Sequence, residues 1–323
     1  MPVSTTSRTT RTTSVAETSS LAHLGPDRTL RIERPDGATV AADVFLPTRA
    51  PPERTAPLLI LDGIGCAGWA FRRIIPIFRR ATPVVFAYYR GHGKSPLPPR
   101  PWNLSVRDLA ADAIATVDAA DLGPVCAVGF SLGFSVALEM TRVAPSNVCG
   151  LVSIAGPAGR VLDHFQGTDV FREIVPIVHR AATLAHDLLL PIWRTVLPSK
   201  ITRLIGLYTQ VDPERLHEED LEIYLHEMSR MDPELFLAML EEAARYDPSD
   251  FLPRLDRPTL VIAGARDRFV PLSVLRNTAF SIPGARWEVV DEGTHALPAE
   301  HPTRIAEDVL AFARSACPNA QDR

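Results

Sequence analysis

The sequence predicts an α/β protein: a mostly parallel, eight-stranded sheet with helices on both faces and a helical cap inserted between two of its strands. Three observations predict it. From Pro57 onward, short runs rich in valine, isoleucine and leucine alternate with amphipathic stretches, the pattern of strands covered on both faces by crossover helices. Two further strand-like segments precede them, joined by the turn Pro35-Asp36-Gly37. The alternation is interrupted once, between Gly159 and about Asp250, where the periodicity is helical only.

Taken in order, residues 28–33 and 39–46 form the expected hairpin. The buried runs follow at 58–61, 84–89, 125–130, 151–155, 260–263 and 287–290. Between them helices are expected at 69–80, at 106–120 behind an N-cap at Ser105, at 132–143 and, last, at 303–316. The interrupting segment carries helical periodicity at 173–190, 219–228 and 233–246, the last opened by Asp232 as cap and Pro233 at the first helical position. This divides the chain into a tail (1–25), a discontinuous sheet domain (26–158 and 251–323) and a cap (159–250). The tail is Ser/Thr-rich and lacks the apolar stretch of a secretory signal, so it is expected to be disordered.

With 323 residues, 46% of them hydrophobic and 22% charged, the chain can bury one large core and a smaller attached layer. A net charge of -4 offers no overall basic character to attract nucleic acid or anionic membranes. No uncharged apolar run is long enough for a spanning helix, and a cytoplasmic protein is expected. The four cysteines, Cys66, Cys126, Cys149 and Cys317, are widely spaced and form no zinc-type pair, so free thiols and no metal site are expected. Cys126 and Cys149 fall in apolar runs, where a thiol acts as a small hydrophobe.

The sharpest local feature is Gly129-Phe130-Ser131-Leu132-Gly133, between an apolar run and an amphipathic helix. A strand-to-helix corner this tight tolerates only small residues at the glycines and pushes the serine hydroxyl into a cleft. A serine needs an imidazole to take its proton, and the imidazole needs an acceptor to set its tautomer. His295 stands just past the run at 287–290 and Asp267 just past that at 260–263. All three residues are thereby expected at the carboxyl edge of one sheet, where open α/β sheets hold their ligands. Asp291 is the reserve acid; the histidines at 164, 179, 186, 217 and 226 belong to the helical segment.

With these residues in view, the chain from about 28 to 316 resembles the α/β-hydrolase family. Leu58–Leu61 followed by Asp62-Gly63-Ile64-Gly65 is similar to the family's strand ending in His-Gly, with Asp62 in place of the usual histidine. Arg90-Gly91-His92-Gly93-Lys94-Ser95 resembles its glycine-rich turn, where the histidine is structural, and Glu292-Gly293-Thr294-His295 its histidine loop. The resemblance implies the chain order Ser131, Asp267, His295, with oxyanion donors at the amides of Leu132 and Ile64.

The expected activity is acyl transfer to water on a small-molecule substrate, an apolar ester or lactone. Gly63, Phe130 and Trp193 are the candidate substrate-binding residues, and Phe165, Phe171, Tyr208 and Phe236 are further aromatics of or near the cap. Gly93-Lys94-Ser95 is not a phosphate loop, because Tyr88 stands where its first glycine would fall, and no dinucleotide fingerprint opens a helix, so no cofactor is expected. The same three residues would serve a carbon–carbon bond hydrolase, a thioesterase or acyltransferase, or a cofactor-free haloperoxidase. The fold also hosts non-catalytic small-molecule receptors. Oligomerisation is left open.

Overall fold

Alternate residues of the apolar runs face opposite sides of one eight-stranded sheet. The computed structural model describes residues 21–50, 55–160, 162–163, 170–209 and 211–317. Of the expected tail, 1–20 lie outside these residues. Residues 21–25 differ from expectation: Leu21 is fully buried and a 3-10 turn, Ala22–Leu24, follows it.

The elements run β1 (Arg28–Glu33), β2 (Thr39–Phe45), β3 (Leu58–Leu61), α1 (Ile75–Phe78), β4 (Val84–Ala87), α2 (Val106–Ala120), β5 (Val125–Phe130), α3 (Leu132–Val143) and β6 (Val148–Ile154). Among the described residues five α-helices follow: α4 (Val170–Leu184), α5 (His186–Val196), α6 (Lys200–Thr209), α7 (Glu218–Arg230) and α8 (Pro233–Arg245). The chain then returns to the sheet through β7 (Thr259–Gly264), α9 (Leu272–Phe280), β8 (Arg286–Val290), α10 (Leu297–Glu300) and α11 (Pro302–Ala316). The spatial order is β1-β2-β4-β3-β5-β6-β7-β8. β2 pairs antiparallel with β1 and β4, and every other pairing is parallel.

The period of two decides which core each side chain joins. Leu58, Ile60, Phe86 and Val128 enter the core beneath α1 and α11. Leu59, Leu61, Val85 and Ala127 enter the opposite core with α2, α3 and α8. Ser105, the N-cap expected from the sequence, starts α2 by accepting the Asp108 amide, and the Asp108 carboxylate accepts the Ser105 amide in turn, completing a capping box. Asp232 likewise caps α8, taking the amides of Glu234 and Leu235.

The inserted helices are anchored to both cores. Leu221 and Leu225 of α7 join one, and Leu235, Met239 and Ala243 of α8 the other. Asp220, wholly buried, binds Arg72 and Arg73, each at 2.7 Å. A buried carboxylate is tolerable only with such pairing.

Three local expectations differ from the structure. The helix at 69–80 is a 3-10 turn (Trp69–Phe71) and the short α1, because Pro76 has no amide to continue a helix through it. The helix at 173–190 is two: Ala185 leaves helical geometry (φ -120, ψ 29), and His186 is drawn to Asp232 at 2.9 Å. α6 has no strong signal, being short, with Ile201, Thr202, Ile205, Gly206 and Thr209 all weak helix formers.

The cysteine expectation is corrected. Cys149 and Cys317 form a disulfide with Cα atoms 5.3 Å apart, while Cys66 and Cys126 are free and buried. The pairing arises because α11 packs back along β6, bringing together residues separated by 168 positions.

Candidate active site

Ser131 sits between β5 and α3 with φ 52 and ψ -119, a conformation that costs on the order of 1–3 kcal/mol. The surrounding contacts require it. A Cβ on Gly133 would lie 1.9 Å from the Leu61 oxygen, and one on Gly129 would lie 2.3 Å from the Phe134 nitrogen. The two glycines therefore let α3 start directly against the end of β3, and the Ser131 amide is tied to the Ile154 oxygen at 3.0 Å. β3 and β5 are neighbours although β4 intervenes in sequence, so Ser131 stands where the strand order reverses.

The loops after β7 and β8 bring the other two residues to it. His295 Nε2 lies 3.2 Å from Ser131 Oγ, and His295 Nδ1 lies 2.8 Å from Asp267 Oδ2. The other Asp267 oxygen accepts the amides of Phe269 and Val270, at 2.8 and 2.9 Å. The Asp267 side chain is completely buried and that of His295 is 17% exposed, so the carboxylate is fixed while the imidazole retains access to solvent. With Nδ1 donating to Asp267, Nε2 carries the lone pair that faces the serine hydroxyl. Asp291, the reserve acid, is exposed at the surface.

Leu132 is buried and opens α3; neither its amide nor that of Ile64 has a hydrogen-bond acceptor among the described residues. Gly63 packs against the Phe130 ring, with a Cβ there 3.3 Å from it. Phe130 and Phe269 flank the His295 ring, with centroids 5.3 and 5.2 Å away. Trp193 lies further out: its Nε1 donates to the Met228 oxygen and its ring packs on Phe236 at 5.7 Å, while Phe236 touches Gly65. Phe165, His164 and the Tyr208 side chain lie outside the described residues.

The glycine-rich turn is structural. Burial pulls His92 down to about 4, so its neutral ring donates through Nδ1 to the Arg90 oxygen and accepts the Gly65 amide on Nε2, at 2.9 and 3.2 Å. Lys94 is held by Asp43 at 2.7 Å, and Ser95 Oγ bridges the Tyr88 oxygen and the Ala41 amide. Burial pushes the Asp62 carboxyl up to about 7, the hydrogen bonds from Gly63 and Gly68 pulling the other way.

Sequence reasoning missed Glu300. Its buried carboxylate accepts the Thr294 amide and hydroxyl, at 2.9 and 2.6 Å, and the Asp212 amide at 2.8 Å. Nothing in the local pattern distinguishes it from an ordinary helix-end glutamate. His186, Asp232 and Glu234 lie close enough to share a cation, but Asp232 caps α8 and Glu234 binds Arg100, which accounts for both carboxylates.

The profile of the alpha/beta hydrolase fold matches residues 56–302. The 2-hydroxy-6-oxononadienedioate/2-hydroxy-6-oxononatrienedioate hydrolase of Burkholderia vietnamiensis is 29% identical over 80% of this chain and 86% of its own. The magnesium-chelatase 30 kDa subunit of Rhodobacter capsulatus is 26% identical over 73% of this chain and 79% of its own. Among solved structures, the thermophilic esterase of Thermogutta terrifontis superposes with a TM-score of 0.71 at 20% identity, covering 90% of this chain and all of that one, a likeness of fold. The chain belongs to the alpha/beta hydrolase fold family and is an enzyme of that family.

Proposed function

We propose that the protein is a serine hydrolase that cleaves an apolar ester or lactone through a covalent acyl-enzyme. The observation that carries this reading is the hydrogen-bonded chain from Asp267 through His295 to Ser131. Ser131 Oγ attacks the carbonyl carbon as His295 Nε2 takes its proton, and the Leu132 and Ile64 amides receive the oxyanion. His295 then protonates the leaving alcohol. Water, deprotonated by the same imidazole, attacks the acyl carbon, and Ser131 recovers its proton as the acid departs. Phe130 and Phe269 on either side of His295 favour an apolar substrate.

In this reading residues 159–250 act as a cap over the site, and no metal or cofactor takes part. A cytoplasmic location belongs to the same proposal; the Cys149–Cys317 bond counts against it, since disulfides are rare in reducing compartments. No described helix is long and apolar enough to cross a membrane. A second reading, hydrolysis of a carbon–carbon bond, draws support from the Burkholderia vietnamiensis relative. Turnover of p-nitrophenyl esters of graded chain length by wild type and Ser131→Ala tests the first reading. Wild-type turnover, lost by roughly 10⁴- to 10⁶-fold in the variant without a change in melting temperature, is expected. An undiminished rate in the variant would overturn it, and wild-type inactivity on every ester would favour the carbon–carbon reading.

A further inference from the structure

The loop from 63 to 68 is held by a residue that the mechanism above does not use. Asp62 ends at the mouth of β3 with 1% of its surface exposed. One oxygen accepts the amide of Gly63 and the other that of Gly68, each at 2.8 Å, so a single side chain fastens both ends of the loop. Within it, the Gly65 amide goes to His92 Nε2 and the Cys66 amide to the Gly63 oxygen. Trp69 Nε1 donates to Cys66 Sγ, and Cys66 Sγ lies 3.7 Å from the Ile64 oxygen. The amides of Gly63, Gly65, Cys66 and Gly68 are thus all committed inside the protein, whereas that of Ile64 has no acceptor among the described residues.

The loop is also fixed against the serine corner. Gly63 rests on Phe130, the residue before Ser131, and the Leu61 oxygen lies against Gly133. We propose that Asp62 is a positioning residue: by clamping the Gly63 and Gly68 amides it sets the place of the Ile64 N–H as an oxyanion donor. The inference rests on the serine-hydrolase reading. Its physical content is rigidity. Amides aimed at Asp62 cannot also aim at the oxyanion, and a carboxylate behind the loop adds no attractive field, so the contribution comes from holding the Ile64 donor still.

The test uses the full-length protein carrying Asp62→Asn and, separately, Asp62→His. An asparagine of the same shape turns an NH2 toward one of the two amide donors, and an imidazole can accept only one of them. Hydrolysis of p-nitrophenyl butyrate is measured with the affinity of phenylethaneboronic acid, which forms a tetrahedral adduct on a serine, and the melting temperature. The expected result is a fall in kcat of roughly 10- to 100-fold, KM within about threefold, and a parallel loss of boronate affinity in folded protein. A purely structural role would lower the melting temperature without separating boronate affinity from KM. Two results would overturn the proposal: kcat and boronate affinity within about twofold of wild type, or failure of both variants to fold, which would assign Asp62 to stability alone. Ser131→Ala run alongside separates the two ideas. If it is inactive while the Asp62 variants are normal, only the clamp falls; if it is fully active, the serine-hydrolase reading falls.

Discussion

Glu300 holds Thr294 by both its amide and its hydroxyl, one residue ahead of His295. The same carboxylate accepts the amide of Asp212, so one buried group ties the histidine loop to the segment between α6 and α7. Glu300→Ala leaves two amides and a hydroxyl without their acceptor. It should destabilise the protein by about 2–4 kcal/mol and lower kcat about tenfold by loosening His295. Chemical denaturation and ester kinetics on the variant check this; unchanged stability would mean that water replaces the carboxylate at no cost.

Asp267 meets His295 at 2.8 Å from inside the protein, its second oxygen held by two backbone amides. In Asp267→Asn the side-chain amide would present a donor to Nδ1 and favour the wrong imidazole tautomer. A fall in kcat of roughly 10⁴-fold with KM little changed is expected, read from saturation curves.

Asp62 also makes stability depend on pH. Its carboxyl titrates near the ordinary 3.8 when unfolded and at about 7 when buried in the fold. Between those values the folded state keeps a proton that the unfolded state has released, so stability falls as pH rises through that window. The loss attributable to this group is on the order of 4 kcal/mol. Of the groups around it, burial pushes Cys66, Tyr89 and Tyr224 up and out of this window. His92, pulled by burial from 6.5 down to about 4, acts there in the opposite sense, but it is common to both proteins, so the difference between wild type and Asp62→Asn isolates Asp62. The stability of wild type relative to Asp62→Asn should therefore decline from pH 4 to 7 and level off above 8. Parallel stability curves would contradict this.

The Cys149–Cys317 bond closes a loop of 168 positions at the start of β6, the end of the strand opposite the site. Cys317→Ser, or reduction, should lower stability by about 2–4 kcal/mol and leave ester kinetics within about twofold. Differential scanning calorimetry with and without reductant makes the comparison.

Much of this arrangement was legible in the sequence because it depends on local chemistry. The strands declare themselves as valine- and leucine-rich runs, and the corner at Ser131 by glycines that nothing larger could replace. Asp267 and His295 stand out as candidates because each follows a strand, and parallel strands end at one edge. What was not legible depends on distant parts of the chain meeting. The disulfide needs α11 to lie along β6, Glu300 needs Thr294 and Asp212 brought to it, and Asp62 shows its two-amide clamp only once residues 63–68 have curled back. The division of the helix at Ala185 likewise follows from a histidine captured by the cap of a later helix.

In the proposed mechanism Ser131 is the nucleophile and His295 activates it. The direct measurement is mass spectrometry of peptides after reaction with a fluorophosphonate, on wild type and on His295→Ala. Stoichiometric modification on the peptide containing Ser131, slowed by orders of magnitude in the variant, is the predicted result. Modification elsewhere, or equal labelling of Ser131 with and without the imidazole, would contradict it.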